Sequence, residues 1–315
     1  MYHDVGTQWP VRSGATEEAV VTATSERTRI AEFTSEAARD EFLQAYDAAL
    51  DLWPLPRREI DVETGFGMTR VHRGGADHGD PIVLLHGSAG NASNWYLQVG
   101  TLGSDHPVYA VDTIDDPGGS VQRAAINGPA DYAAWLAQVL DGLGLDRVHL
   151  VGHSYGGYLA LNQAIRAPET LATITLIDPG GLEKVPARFY LHALAGLPAL
   201  AAPRRMRPWL ARRMANPALV APPGMQRTLM LAARTFRLTR SAAPRLGDDE
   251  LASIATLAYF LLAERSSLLR PRRARARVHA LLPSARVEVM PVVGHGLTLE
   301  EPEQVNERIL GFVDD

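Results

Sequence analysis

The run Val151-Gly152-His153-Ser154-Tyr155-Gly156-Gly157 sets a serine between two glycines in the G-x-S-x-G spacing of a nucleophile elbow. A serine in such a turn can attack a carbonyl carbon. The turn exposes its Oγ at the start of a helix, where backbone N–H groups face developing negative charge. Gly152 and Gly156 lack side chains because neighbouring backbone must pass close to the turn. Acyl chemistry also needs two donors for the oxyanion. The amide of Tyr155, just after the nucleophile, is one candidate. The amide of Ser88 in Leu84-Leu85-His86-Gly87-Ser88 is the other, with Gly87 permitting close backbone approach. His86 itself reads as a hydrogen-bonded structural residue. A serine nucleophile further needs a base, usually histidine. His295 in Val292-Val293-Gly294-His295-Gly296 has glycine on both sides and lies between a strand pattern and a helix pattern.

These residues need elements that bring them to one place. Buried-strand patterns occur at 60–62, 67–72, 81–85, 108–112, 147–151, 173–177, 258–262 and 287–290. Helical patterns cover about 34–50, with Ser35 as a cap, then 129–143, 158–166, 272–282 and 303–312. The alternation predicts an α/β fold: a mostly parallel, eight-stranded sheet with helices on both faces. Such a sheet brings the loops after its strands to one carboxyl edge, so Ser154 and His295 should meet there. Residues 182–250 carry no good strand, only helical patches broken by prolines. A gap of that length inside a compact domain predicts a functional insertion, here a helical lid after the sixth strand. The organisation expected is an N-terminal arm and leader helix (1–57), a core (58–181 and 251–315) and the lid (182–250).

The chain has 315 residues, 46% hydrophobic and 21% charged, which suits a globular protein with a sizeable core. It contains no cysteine. Disulfides, thiolate metal sites, iron–sulfur clusters and a cysteine nucleophile are therefore excluded. A net charge of -5 gives no hint of nucleic acid. No long apolar run suggests a membrane span. The first thirty residues lack the apolar core of a secretory signal, so a cytoplasmic location is expected. No metal or cofactor is expected, and the oligomeric state stays open.

The order His86-Gly87-Ser88, then Gly152-His153-Ser154-Tyr155-Gly156, then Gly294-His295 resembles the α/β-hydrolase fold family over about residues 58–313. The segment from Phe42 to Pro56 is similar to a leader helix in bacterial carboxylesterase-like members. The resemblance implies a Ser-His-acid triad working through an acyl-enzyme, without a cofactor. The usual acid position departs from the family: the stretch reads Ala263-Glu264-Arg265-Ser266, with Ser266 where aspartate is expected. Two carboxylates remain. Asp178 closes the sixth strand, where certain lipases carry their acid. Glu264 lies two positions early but has a longer side chain. Asp178 is the first choice and Glu264 the alternative.

The function expected is a serine hydrolase of the carboxylesterase type, cleaving a small-molecule ester, lactone or thioester. The same fold also serves biosynthetic cyclases, lyases and acyltransferases, and non-catalytic binding proteins. Serine rather than aspartate at the elbow argues against dehalogenase and epoxide hydrolase chemistry. The lid adds a charge pattern, with eleven arginines and no carboxylate between Val185 and Gly247. These are readable as solvated helix faces, as partners of the acidic stretch between Glu32 and Asp51, or as a guide for an anionic substrate.

Overall fold

Ile82, Val83, Leu84 and Leu85 are all fully buried, as four consecutive apolar residues must be in a strand covered on both faces. Their side chains alternate. Val83 and Leu85 enter one apolar cluster, and Ile82 and Leu84 enter another on the opposite side of the sheet. The computed structural model describes residues 30–199 and 202–315. The expected arm therefore lies outside the described residues, except for Ile30.

In chain order the elements are β1 (Glu32–Phe33), α1 (Glu36–Leu50), β2 (Arg57–Thr64), β3 (Gly67–Gly75), β4 (Ile82–Leu85), α2 (Val99–Leu102), β5 (Pro107–Val111), β6 (Val121–Gln122), α3 (Pro129–Gly142), β7 (Val148–His153), α4 (Tyr155–Arg166), β8 (Leu171–Ile177), α5 (Ala187–Ala199), α6 (Arg207–Met214), α7 (Pro223–Thr235), β9 (Phe236–Arg237), α8 (Asp248–Ala252), β10 (Leu257–Ala263), α9 (Pro271–Leu281), β11 (Arg286–Met290), α10 (Leu297–Glu300) and α11 (Pro302–Val313). The main sheet has the order β11-β10-β8-β7-β4-β5-β3-β2. The six strands from β11 to β5 in that order run parallel to their neighbours, and β3 and β2 continue the sheet antiparallel. All eight expected strands are present. A ninth, β6, pairs with the start of β3 and is too short to show a periodic pattern.

One face carries α3, α4 and α9, and the other carries α1, α2 and α11. Helix α1 shows why a leader helix belongs to the core. Ser35 caps it by accepting from the Ala38 amide at 3.1 Å, and Phe42, Ala45, Tyr46, Ala49 and Leu50 form its buried stripe. Tyr46 donates its hydroxyl proton to Asp112 Oδ2 at 2.7 Å and accepts from His72 Nε2 at 2.8 Å. Helix α1 also packs on α7, and β1 pairs with β9. Arg227 and Arg237 reach Glu41 and Glu32 at 3.4 and 3.6 Å. Part of the arginine-rich insert thus faces the acidic leader segment.

Burial pushes His72 down to about 4, so it is neutral in the fold. Unfolded, it would take up a proton below about 6.5. The folded state therefore loses this contribution as pH falls from about 6.5 towards 4. The buried Asp112, Asp115 and Asp116 are pushed up by burial and act with the opposite sign. The difference between wild type and His72→Gln isolates the histidine. Urea unfolding should show wild type losing about 2 kcal/mol relative to the variant between pH 7.5 and 5. A difference independent of pH would contradict this.

Candidate active site

Strand β7 runs into α4 through Ser154 alone. Ser154 has φ 55° and ψ -111°, a conformation that costs a non-glycine residue energy. The turn is possible because a Cβ at Gly152 would strike the Gly156 carbonyl, and one at Gly156 would strike the Leu85 carbonyl. Only glycine fits either position. Gly87 is less constrained, since a Cβ there would lie 3.3 Å from the Ser154 Cβ. The turn is fixed by the Ser154 amide on the Ile177 carbonyl at 3.0 Å and the Gly180 amide on the Ser154 carbonyl at 2.7 Å. Helix α4 starts at Tyr155, three residues earlier than the pattern suggested, because the elbow glycines hide the helical periodicity.

Ser154, Asp178, His295 and Ser88 each follow the carboxyl end of a parallel strand: β7, β8, β11 and β4 respectively. His295 Nε2 is 2.9 Å from Ser154 Oγ, and His295 Nδ1 is 2.6 Å from Asp178 Oδ2. Asp178 is fully buried and has φ 41°, a left-handed conformation that aspartate tolerates. Its Oδ1 accepts from the Ala263 amide at 3.1 Å, and its Oδ2 accepts from the Ser266 hydroxyl at 2.6 Å. Ser266 Oγ accepts from the Leu268 and Leu269 amides at 3.1 and 2.9 Å, which leaves its proton to Asp178. Sequence reasoning noticed Ser266 as a missing acid but not as the group that holds Asp178. Glu264, the alternative acid, lies elsewhere. It is exposed, and its Oε2 accepts from the Val292 amide at 2.8 Å. Val292 has φ 69°, so Glu264 secures a strained turn three residues before His295.

Ser88, Ser154 and Tyr155 all line a cavity of about 210 Å³. Val185, Phe189, Tyr190, Leu238, Ala242, Ala243 and Leu268 make most of its remaining wall apolar. A second cavity of about 250 Å³ shares Ser88, Ser154 and Phe189 but also touches His295 and His153, with Asn94, Gln226 and Thr228 in its wall. The smaller cavity is walled largely by the 182–250 insert, and the larger one by the insert together with the loop from Gly87 to Asn94, His153, Ser154, His295 and Leu299. That insert holds α5, α6 and α7 together with β9, a strand too short for sequence patterns to reveal.

Two other histidines are committed to structure. His86 is buried, with Nδ1 on the Gly87 carbonyl at 2.8 Å and Nε2 accepting from the Thr113 amide at 3.1 Å. His153 Nε2 lies 2.9 Å from the His295 carbonyl, and burial beside His295 pushes it down to about 4. Neutral His153 donates there and holds the backbone of His295. No cluster of metal-ligating side chains occurs among the described residues, and no helix among them is long and apolar enough to cross a membrane.

Residues 82–308 match the model of the alpha/beta hydrolase family. Carboxylesterase YbfK of Bacillus subtilis is 30% identical over 279 residues, which cover 86% of this chain and 93% of that protein. Its solved structure superposes with a TM-score of 0.76, covering 88% of this chain and 98% of that one. The solved naproxen esterase of Bacillus subtilis is 28% identical, with a TM-score of 0.76 and coverage of 87% and 97%. The chain belongs to the alpha/beta hydrolase family.

Proposed function

We propose that this protein hydrolyses carboxylic esters of small molecules through an acyl-enzyme on Ser154. The observation that carries the reading is the continuous chain from Ser154 Oγ to His295 to Asp178, at 2.9 and 2.6 Å. The similarity to two carboxylesterases over most of their length supports it. In this mechanism Ser154 Oγ attacks the ester carbonyl carbon while its proton passes to His295 Nε2. The carbonyl oxygen becomes an oxyanion, received by the Ser88 and Tyr155 amides. Asp178 holds the His295 tautomer and stabilises the imidazolium without taking the proton. The tetrahedral centre collapses, the C–O bond to the alcohol breaks, and His295 protonates the departing oxygen. A water then gives its proton to His295 and attacks the acyl carbon, releasing the acid and restoring Ser154.

The two cavities divide the substrate. The leaving oxygen must come within hydrogen-bond reach of His295, so the alcohol belongs in the larger cavity that His295 lines. The acyl group then fills the smaller, mostly apolar one. The insert acts as the cap that shapes both.

We further infer uncharged esters as substrates. No arginine or lysine lines the larger cavity. In the smaller one Arg240 is already paired with Asp115 and Asp116. Arg204, Arg205, Arg212 and Arg213 are exposed on α6 and the turn before it, and line neither cavity. Of the three readings of the arginines, this favours solvated faces and partners of the acidic leader segment over a guide for an anionic substrate. A panel of p-nitrophenyl esters tests both parts. Turnover of short neutral esters is expected, with kcat/KM for a matched anionic ester no higher than for the neutral one at low salt. Absence of any ester turnover would overturn the hydrolase reading. Faster turnover of the anionic ester, fading towards about 1 M salt where charges are screened within roughly 3 Å, would restore the guided-anion reading.

A further inference from the structure

Residues 238–247 of the insert form a strap with no regular secondary structure between β9 and α8. Both ends are tied down. Phe236 and Arg237 pair with β1, and the Leu246 amide donates to the Gly181 carbonyl at 2.9 Å. In the middle, Arg240 turns inward, with its side chain 7% exposed. Its Nη2 donates to Ser88 Oγ at 2.8 Å and lies 2.7 and 2.8 Å from the two Asp116 oxygens. Its Nη1 is 3.0 Å from Asp115 Oδ1 and 3.1 Å from the Asp115 carbonyl. The guanidinium carbon sits 4.1 Å from the centre of the Tyr155 ring.

The loop beyond Ser88 is held through the same group. Asp116 Oδ1 accepts from the Ala89 amide at 2.7 Å, and Ala89 has φ 59°, a conformation that alanine does not keep unaided. Tyr155 also packs against Tyr132, whose ring lies 6.1 Å away edge-on and whose hydroxyl donates to Asp115. Ser88 and Tyr155 stand on different elements, one on the loop after β4 and one on the first turn of α4. Their side chains meet at one guanidinium.

We propose that Arg240 is a positioning residue for the oxyanion hole: carried in by the insert, it fastens both donor residues and the strained loop beside them, so the hole takes its working geometry only with the insert seated. The proposal rests on the reading of Ser88 and Tyr155 as oxyanion donors. Arginine suits the task because its planar fork reaches several acceptors while stacking on a ring, which a lysine ammonium cannot do. It does not serve as a substrate-binding cation, since two carboxylates already hold it. A donor stabilises an oxyanion only when aimed at it, and removing one such donor typically costs about 10²–10³ in kcat. Loosening two donors without removing them should cost part of that.

The test uses Arg240→Lys and Ser88→Ala. The first keeps the charge beside Asp115 and Asp116 but cannot bridge. The second keeps every ion pair and the Ser88 amide and removes only the hydroxyl anchor, so it remains informative if the first folds poorly. We expect kcat to fall about 10–100-fold for Arg240→Lys and a few-fold for Ser88→Ala, with KM within about threefold in both. Affinity for a trifluoromethyl ketone, whose Ser154 adduct places an oxyanion in the hole, should weaken in parallel with kcat/KM. Affinity for the matched ether, which forms no adduct, should stay at the wild-type value. Wild-type kcat in both variants, or equal loss of ketone and ether binding, would overturn the positioning role. End-point labelling of wild type by a fluorophosphonate separates the two levels. Labelling at Ser154 leaves the hydrolase reading standing whatever the variants do, and no labelling overturns that reading and this proposal together.

Discussion

Replacing Ser154 by alanine is expected to lower kcat/KM for any ester substrate by at least about 10⁴-fold, because removal of a nucleophile leaves only binding and the oxyanion hole to assist water. The fold should be indifferent to the change. Among the described residues the Ser154 side chain has one hydrogen-bond partner, His295, and the elbow is held by backbone bonds that alanine keeps. The melting temperature should therefore stay within a few degrees of wild type, on the order of the shift produced by ~1 kcal/mol or less. A variant with normal stability and more than about a tenth of wild-type turnover would remove Ser154 from the reaction.

The second large effect concerns the carboxylate behind His295. Asp178→Asn puts an amide where a carboxylate now accepts from His295 Nδ1 at 2.6 Å and from the Ser266 hydroxyl at 2.6 Å. An amide can bind the wrong imidazole tautomer and stabilises the imidazolium poorly, so kcat should fall by about 10³–10⁴-fold. Ser266→Ala removes one hydrogen bond to the charged carboxylate and leaves the His295 contact. It should cost roughly 10- to 150-fold at most, in line with about 1.5–3 kcal/mol for a bond to an ionised group. Glu264→Gln keeps a carbonyl oxygen for the Val292 amide and should leave kcat within about twofold. Steady-state kinetics on the three variants yields an ordering. If Glu264→Gln proved the most damaging, a carboxylate other than Asp178 would be the one that orients His295.

The parts of the fold with strong local patterns were readable without coordinates. Continuous apolar runs such as Ile82–Leu85 suit strands covered on both faces of a parallel sheet, and the glycines of the elbow stand at the spacing of a strand-to-helix turn with a strand pattern before them and a helix pattern after. The place of His295 beside Ser154 was readable because glycine flanks it and a strand precedes it. The acid was harder to choose. Asp178 and Glu264 both follow strands of the same sheet edge, and the choice depends on register. Ile177 pairs with Leu261, which sets Asp178 beside Ala263 and Ser266, while Glu264 turns to Val292. Register across a sheet is a tertiary property that neither strand encodes alone. The Arg240, Asp116 and Ser88 contacts were illegible for the same reason. They join three loops far apart in the chain, and Asp115-Asp116-Pro117-Gly118-Gly119 reads locally as nothing more than a turn. The insert was recognisable as helical but not as the wall of two cavities, because packing against α1 and the elbow decides where its helices lie.

The central claim is that one serine in this chain carries the acyl group. Incubation with a fluorophosphonate, followed by intact mass and peptide mapping, addresses it directly. A single adduct per chain is expected, on the peptide that contains Ser154, with no adduct on the Ser154→Ala variant. An unmodified chain, or an adduct on any other residue that persists in Ser154→Ala, would contradict it.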